Sequence, residues 1–163
     1  MISKLLIPIR FQSTRLKPSS LINDFTSTKL IHGNTNLHMG ITKRASDKLN
    51  LITKDEPNPM ESALKIQVES GGCHGFQYNL GITNTIKELS KNKELLIFER
   101  DNGRIILDES SLTILQDSKL DYTKELIGSQ FKIIDSPYTS TACGCGASFD
   151  FDFEKLEKKN ATA

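Results

Sequence analysis

The sequence contains no tryptophan and only 7% aromatic residues, and outside its N-terminal region its lysines and arginines form no cluster. Proteins that bind nucleic acid usually show a basic patch, so this composition gives no indication of a nucleic-acid partner. Long apolar runs are absent as well, since no stretch approaches the roughly 18 apolar residues that a membrane helix needs. The sequence therefore predicts a protein that binds neither nucleic acid nor a membrane.

Cysteine is scarce too, with three residues, Cys73, Cys143 and Cys145, in a chain of 163. Small disulfide-rich domains usually carry an even number of cysteines, and structural disulfides seldom persist in a reducing compartment. We therefore expect free thiols that are available for metal binding or redox chemistry.

The first 38 residues contain a single acidic residue, Asp24, and many serines. Their basic residues are Lys4, Arg10, Arg15, Lys17 and Lys29. This basic, serine-rich and amphipathic composition is typical of a mitochondrial transit peptide. A secretory signal is one alternative, although its apolar run would be short and interrupted by Pro8, and an uncleaved basic arm is another. We expect residues 1–38 to be a transit peptide and disordered leader, and the mature protein to be in the mitochondrial matrix.

A helical pattern opens the body of the chain. The apolar residues Ala45, Leu49 and Ile52 follow Ile41 at spacings of three and four, and Thr42 is a suitable N-cap. The spacing changes to two over residues 64–68 and again over residues 76–82, on either side of a glycine-rich loop. Such alternation predicts half-buried strands, so Cys73 is predicted at the tip between two paired strands.

Short strands continue along the rest of the body. Asn102-Gly103 is a strong signal for a tight turn between two strands, and Asp108 is a candidate cap for a short helix. Further strands are predicted within residues 120–127 and 131–134, after which Ser136-Pro137 is expected to release a flexible loop. Because strands dominate and helices are peripheral, we predict a mainly β (α+β) fold, a compact mixed β sandwich or half-barrel. It would form one domain over residues 39–153, followed by a flexible tail at 154–163.

All three cysteines lie among glycines, in Gly71-Gly72-Cys73-His74-Gly75 and in Cys143-Gly144-Cys145-Gly146. Glycine permits tight turns that leave a sulfur uncovered, whereas a structural cysteine usually packs in an apolar run. Thiolates are soft ligands that suit zinc, cuprous copper and iron-sulfur clusters. These residues are therefore candidate metal ligands, and His74 is more consistent with a polar loop residue because adjacent residues of an extended segment point to opposite sides.

The number of cysteine thiolates limits the kind of metal site that one chain can form. Zinc and iron-sulfur centres normally take four protein ligands, and one chain supplies three thiolates. A cluster would therefore be shared between chains or completed by another group. Two alternatives remain open: a redox pair formed by Cys143 and Cys145, although redox motifs usually separate the cysteines by two residues, and a zinc-binding protein.

The cysteine motifs resemble those of the A-type iron-sulfur carriers, the HesB/IscA-like family. The resemblance rests on Gly71-Gly72-Cys73-x-Gly75-Phe76-x-Tyr78 and on Cys143-Gly144-Cys145-Gly146-x-Ser148-Phe149, and it extends over about residues 41–153. It implies that Cys73, Cys143 and Cys145 bind iron or an iron-sulfur cluster, either [2Fe-2S] or [4Fe-4S]. It also implies a carrier that supports maturation of [4Fe-4S] proteins, with no enzymatic chemistry on an organic substrate.

The same resemblance implies partners. These are a second copy of the chain or a paralogous mitochondrial A-type protein, an assembly factor with a folate-binding fold, a monothiol glutaredoxin as donor, and [4Fe-4S] apoproteins as recipients. This chain departs from the family pattern at two places near the expected ligands. His74 follows the first cysteine, where serine is common. The segment 83–93 is longer and richer in lysine than is usual in the family, which argues against an acidic iron ligand there.

Overall fold

The computed structural model describes residues 23–71, 75–126, 128–141 and 148–162, and these form a mainly β structure with short helices around two sheets. The predicted fold class is thus confirmed. Within those ranges, no helix combines the length and the hydrophobicity that crossing a membrane requires.

A seven-stranded sheet forms the larger part of the fold. Its strands are β1 (Lys29–His32), β3 (Ser62–Ser70), β4 (Phe76–Asn84), β5 (Leu96–Arg100), β6 (Gly103–Leu107), β9 (Thr139–Thr141) and β10 (Ser148–Phe151). They lie in the order β1-β5-β6-β3-β4-β10-β9. Neighbours are antiparallel except β3 and β6, which are parallel.

A three-stranded sheet and the helices complete the structure. The sheet has the order β2-β7-β8 and comprises β2 (Gly40–Ile41), β7 (Lys119–Glu125) and β8 (Gly128–Ile134). The helices are α1 (Asn23–Ser27), α2 (Lys43–Thr53), α3 (Thr85–Lys91), α4 (Glu109–Leu115) and α5 (Phe153–Thr162), with a 3-10 turn at Pro59–Glu61.

Local signals in the sequence explain where the elements begin. The Thr42 hydroxyl accepts a hydrogen bond from the Ala45 N–H at 3.2 Å, and Asp108 accepts one from the Ser111 N–H at 3.0 Å, so both predicted N-caps are confirmed. Asp101 and Asn102 have φ of 47° and 67°. Positive φ at both central residues is the requirement of a type I′ turn, which confirms the predicted hairpin between β5 and β6.

The main core is built by both sheets together with α2 and α4. Its fully buried side chains include Ile41, Leu49, Ile66, Leu112 and Leu120. A second, smaller cluster on β3, β5 and β6 packs against Leu89 of α3. The cysteine-bearing segments are thus connected to a sheet that is buried on both faces over much of its area.

The fold begins earlier than the sequence pattern suggested. Residues 23–38, assigned above to the leader, contain α1 and β1, and β1 pairs with β5. Asp24 forms a buried ion pair with Arg100 at 2.5 Å, and the Thr28 hydroxyl accepts the Ile41 N–H at 2.9 Å. The scarcity of acidic residues indicates a leader but does not show the residue at which it ends. Asp24, the one acidic residue of this region, already belongs to the fold. Residues 1–22 lie outside the described residues.

Two segments after residue 135 are also more regular than predicted. The segment after Ser136-Pro137 was expected to be a flexible loop, but Tyr138 is buried and β9 pairs with β10. Most of the expected tail at 154–163 belongs to α5, which has no buried residue and contacts the domain through Lys159 and Asp117.

Candidate metal centre

The predicted ligands Cys73, Cys143 and Cys145, together with His74, lie outside the described residues. In the part of the chain that the structure describes, no group of three or more His, Cys, Asp or Glu side chains could hold a metal ion. The remaining histidine and cysteines belong to residues 72–74 and 142–147. A metal site of three such side chains within one chain must therefore include at least one residue of these two segments.

Strands β3 and β4 hold residues 72–74 between them. The two strands pair continuously, from Ser62 opposite Asn84 to Ser70 opposite Phe76, so the predicted pairing on either side of Cys73 is confirmed. The Gly71 N–H then donates to the Gly75 carbonyl at 2.8 Å. Gly75 has φ of +94°, a conformation that favours glycine, which explains why the loop closes on this residue.

Strands β9 and β10 hold residues 142–147 in the same way. Thr141 lies opposite Phe149, and Phe149 in turn lies opposite Phe76 of β4. Since Phe76 pairs with Ser70, the four residues form one row across β9, β10, β4 and β3. We call Ser70, Phe76, Phe149 and Thr141 the attachment row, because both cysteine-bearing segments join the sheet at or next to it.

The strand directions at the attachment row differ for the two segments. β3 is antiparallel to β4, β4 to β10, and β10 to β9, so β3 and β9 run in opposite directions. β3 leads into residues 72–74 on one side of the row, and β9 leads into residues 142–147 on the other. Strand pairing therefore brings together the residues at which the two cysteine-bearing segments join the sheet. The strands that lead into the two segments nevertheless run towards opposite ends of the sheet.

Aromatic side chains support the attachment row. The ring of Phe149 stacks on Tyr78 at 4.2 Å and on Phe76 at 5.8 Å between centroids, and it is 1% exposed. Phe151 and Phe153 extend this cluster, with centroids 4.7 Å apart. Tyr78 and Phe76 are sheet residues, as predicted, and Phe149 fixes β10 to β4 by packing.

Tyr78 is a neutral group in this cluster. Burial raises its pKa to about 12, and a hydrogen bond with the side chain of Thr139 offsets part of that increase. At neutral pH the phenol is protonated, so it is a hydrogen-bonding group and not an anionic ligand.

We expect Tyr78 to ionise near pH 12 in the folded protein. Its folded pKa exceeds its ordinary value of 10, so the stabilisation that this group provides is complete below pH 10 and is lost between about pH 10 and 12. Spectrophotometric titration at 295 nm of the parent and of Tyr78→Phe isolates this group as the difference between the two curves. A difference curve with its midpoint near pH 10 would contradict the burial that we describe.

Two buried carboxylates, Glu88 and Asp121, are engaged in ion pairs and hydrogen bonds within the fold. Glu88, in the segment where an acidic iron ligand was in doubt, accepts a hydrogen bond from Lys65 at 2.6 Å, which together with Lys91 holds its pKa below the usual range despite burial. Asp121 is 1% exposed and accepts hydrogen bonds from Thr42 at 2.6 Å and from Arg44. Both carboxylates are engaged in contacts within the fold, so neither is free to act as a ligand beside the cysteines.

The pairing of β10 with β4 is the part of the site that sequence reasoning missed. A signal for it was present in Ser148-Phe149-Asp150-Phe151, where aromatic and acidic residues alternate as they do in a half-buried strand. The glycine-rich cysteine pair just before this alternation favours a flexible loop, and the alternation itself is only four residues long.

The iron-sulphur cluster biosynthesis family matches residues 37–147, which is most of the described domain and both cysteine-bearing segments. The chain belongs to this family. Its resemblance to the A-type carriers is thus confirmed.

Related members of the iron-sulphur cluster biosynthesis family support the same assignment. "Iron-sulfur assembly protein 2" of Saccharomyces cerevisiae is 40% identical over 137 residues, which cover 73% of this chain and 72% of that protein. The human "Iron-sulfur cluster assembly 2 homolog, mitochondrial" is 36% identical over 80 residues, about half of each chain. A solved structure, "Crystal Structure of IscA with the [2Fe-2S] cluster", is 22% identical, with a TM-score of 0.53 over 70% of this chain and 97% of that one. At this identity the structural similarity shows the fold.

Proposed function

We propose that this protein binds iron or an iron-sulfur cluster through Cys73, Cys143 and Cys145 and delivers it to proteins that need [4Fe-4S] centres. The main support for this proposal is the attachment row, which joins both glycine-bounded cysteine segments to one region of the sheet. Family membership supports iron-sulfur chemistry as the purpose of those thiols. The cluster is then cargo, and the protein acts as a carrier with no catalysis on an organic substrate.

We further propose that the cluster is shared between two chains. Three thiolates are one short of the usual four, and the strands lead the two cysteine-bearing segments to opposite sides of the attachment row. A second copy, or a paralogous A-type protein, can supply the missing ligation without refolding of either sheet. A cluster held in this way is exposed to exchange, which is what transfer to an apoprotein requires.

Mitochondrial relatives support the matrix as the place of action. There the upstream partners that we propose are a monothiol glutaredoxin as donor and an assembly factor with a folate-binding fold, and the recipients are [4Fe-4S] apoproteins. In this proposal residues preceding Asp24 act as the transit peptide, because residues 23–38 contribute to the fold.

Replacement of each cysteine by serine is expected to abolish cluster binding while the fold is retained, since apolar side chains of the two sheets, α2 and α4 already form an extensive core. The measurement is anaerobic reconstitution with iron and sulfide, followed by visible absorption and Mössbauer spectroscopy, with far-UV circular dichroism to follow the fold. Size-exclusion chromatography of the reconstituted protein is expected to show the cluster only in an oligomer.

The same experiment separates the alternatives. Stoichiometric zinc binding without any cluster signal would favour a zinc protein and contradict the carrier. A cluster that survives unchanged in Cys145→Ser would remove Cys145 from the ligand set. Reversible disulfide formation between Cys143 and Cys145, with no cluster bound in the reduced protein, would favour the redox alternative.

A further inference from the structure

Helix α5 lies beyond the part of the chain that the family match covers, which ends at residue 147. The helix is ten residues long and has no buried residue, so burial alone does not fix its position. The Lys159 ammonium, in its last turn, donates hydrogen bonds to the Asp117 carboxylate and, at 3.2 Å, to the Gln116 side chain. These polar contacts attach the end of α5 to the turn between α4 and β7.

Asp117 is itself anchored to the main core. It follows Gln116, which is 3% exposed, and its N–H donates to the His38 carbonyl at 2.8 Å. Its φ of +61° belongs to the left-handed region, which aspartate enters more readily than most residues other than glycine. The Asp117 carboxylate therefore belongs to a fixed turn, and groups that bind it are held in place relative to the two sheets.

The same carboxylate oxygen also binds the chain just before β9. The Tyr138 hydroxyl donates to Asp117 Oδ2 at 3.3 Å, and the Lys159 ammonium donates to that oxygen too. The ammonium also lies 5.6 Å from the centroid of the Tyr138 ring, within the range of a cation–π contact. Asp117, Tyr138 and Lys159 thus form one cluster, which we call the latch.

The latch joins both ends of one stretch of chain to the domain. β9, β10 and α5 follow one another between Tyr138 and Lys159, and the Asp152 N–H donates to the Tyr138 carbonyl at 2.8 Å. Among the described strands β9 pairs with β10 alone, and β10 pairs with β4 at two residue positions. We call β9, β10 and α5 the C-terminal unit. The latch is its second attachment to the domain, after the junction of β10 with β4.

The ion pair of the latch is weak enough to open and close. The Lys159 and Asp117 side chains are 43% and 40% exposed, and solvent-accessible ion pairs contribute little stability. The hydrogen bond to Asp117 raises the pKa of Lys159 above its ordinary value, so the ammonium keeps its charge at neutral pH. Regions with few buried contacts open more often than the core does. We therefore expect the C-terminal unit to open before the domain unfolds.

We propose that Asp117 positions β9 and β10 through the latch and thereby controls how fast a bound cluster is exchanged. This inference rests on the proposed function, because it concerns a cluster held by Cys143 and Cys145, which lie between β9 and β10 in the sequence. When the latch is closed, the two strands stay against the domain. When it opens, they move away together, and thiolates of a recipient replace those of this chain. The cluster passes intact, and no electron is transferred.

Hydrogen exchange of the full-length apoprotein, measured by NMR, tests the latch without a cluster. The reporter is the Phe149 amide. Because Asp152 bonds to Tyr138, and bonds to the two neighbours alternate along an antiparallel strand, Phe149 bonds to β4. We expect Lys159→Met to speed its exchange about threefold to fivefold, the loss of a solvent-accessible ion pair. Amides between β5 and β6 should keep their parental rates.

A second substitution tests whether Asp117 is the positioning residue. In Asp117→Asn the side chain tolerates the left-handed region and can accept the Tyr138 hydroxyl, but it has no charge. Its effect should match that of Lys159→Met, and the double variant should show no further increase, because both substitutions remove one contact. Lys158→Met is the matched control, since Lys158 is 78% exposed and pairs with Glu154 of its own helix. Its exchange should equal that of the parent.

The reconstituted protein gives the second measurement. Excess EDTA removes iron from the cluster, and the loss of visible absorption gives the rate. We expect Lys159→Met and Asp117→Asn to bind as much cluster as the parent and to lose it about threefold to fivefold faster, with Lys158→Met unchanged. A parent that binds no cluster would refute the proposed function and the control of cluster exchange. The hydrogen-exchange result would still decide whether the latch holds β10.

Two results would overturn the proposal. One is unchanged exchange of the Phe149 amide in Lys159→Met, which would mean that α5 is released without loosening β10. The other is faster exchange of this amide with an unchanged rate of cluster loss. In that case the latch would hold the strands but would not control the cluster.

Discussion

Asp24→Ala is expected to lower the free energy of unfolding by about 3–5 kcal/mol, as is typical when one partner of a buried ion pair is removed. The Asp24 and Arg100 side chains are 8% and 10% exposed, and the Lys119 ammonium lies 3.8 Å from the same carboxylate. Without Asp24, two buried cations lose their shared counter-charge. Lys119 keeps Asp135 at 3.2 Å, but the strong ion pair of Arg100 is gone.

Chemical denaturation of the parent and of two variants measures this effect. Glu99→Ala is the matched control, since Glu99 also pairs with an arginine, Arg104, but is 25% exposed. Solvent-accessible pairs contribute little, so we expect a loss of about 1 kcal/mol or less for Glu99→Ala. Equal losses in the two variants would show that Asp24 is not held against the core, and would return residues 23–38 to the leader.

Phe149→Ala is expected to cost about 3–5 kcal/mol, the usual range for truncation of a buried aromatic side chain. Phe149 stacks on Tyr78 and Phe76 and carries the packing between β10 and β4. The two strands share only two residue pairs, so backbone hydrogen bonds alone give little support to this junction. The variant should therefore loosen β9 and β10 in addition to lowering stability.

Denaturation and limited proteolysis together distinguish these two effects. Phe153→Ala serves as the control, because Phe153 belongs to the same aromatic cluster but is 60% exposed. We expect it to lose about 1 kcal/mol or less, because surface substitutions rarely cost more. New cleavage between residues 135 and 152 in Phe149→Ala, but not in Phe153→Ala, is the expected pattern. Resistance of that segment in both variants would mean that β10 is held by something other than Phe149.

Much of the fold could be predicted because its signals are local. Thr42 and Asp108 cap helices through their own side chains, and the turn lies at Asp101-Asn102, one position before the Asn-Gly pair that signals it. The alternation of β3 and β4 also sufficed to predict both strands. These features depend on a few neighbouring residues, so a single sequence contains the information.

The features that were not predicted depend on distant partners. The side chain of Asp24 is shielded from water only because Arg100 lies beside it, 76 positions along the chain, and composition alone assigned this carboxylate to a leader. The strand β10 is short and needs β4 and β9 on its two sides, so its identity follows from the assembled sheet. The cysteine ligands were predicted from glycine context and from family resemblance, and they remain predictions.

The ion pair of Asp24 also limits where the proposed transit peptide can be removed. A processing protease that acts on the proposed transit peptide can remove residues 1–22 without touching the described domain. A cut after Asp24 would divide α1 and remove the carboxylate that neutralises Arg100, so the product would be less stable than the precursor. The charge balance of the core therefore sets the furthest position at which the mature N-terminus can lie.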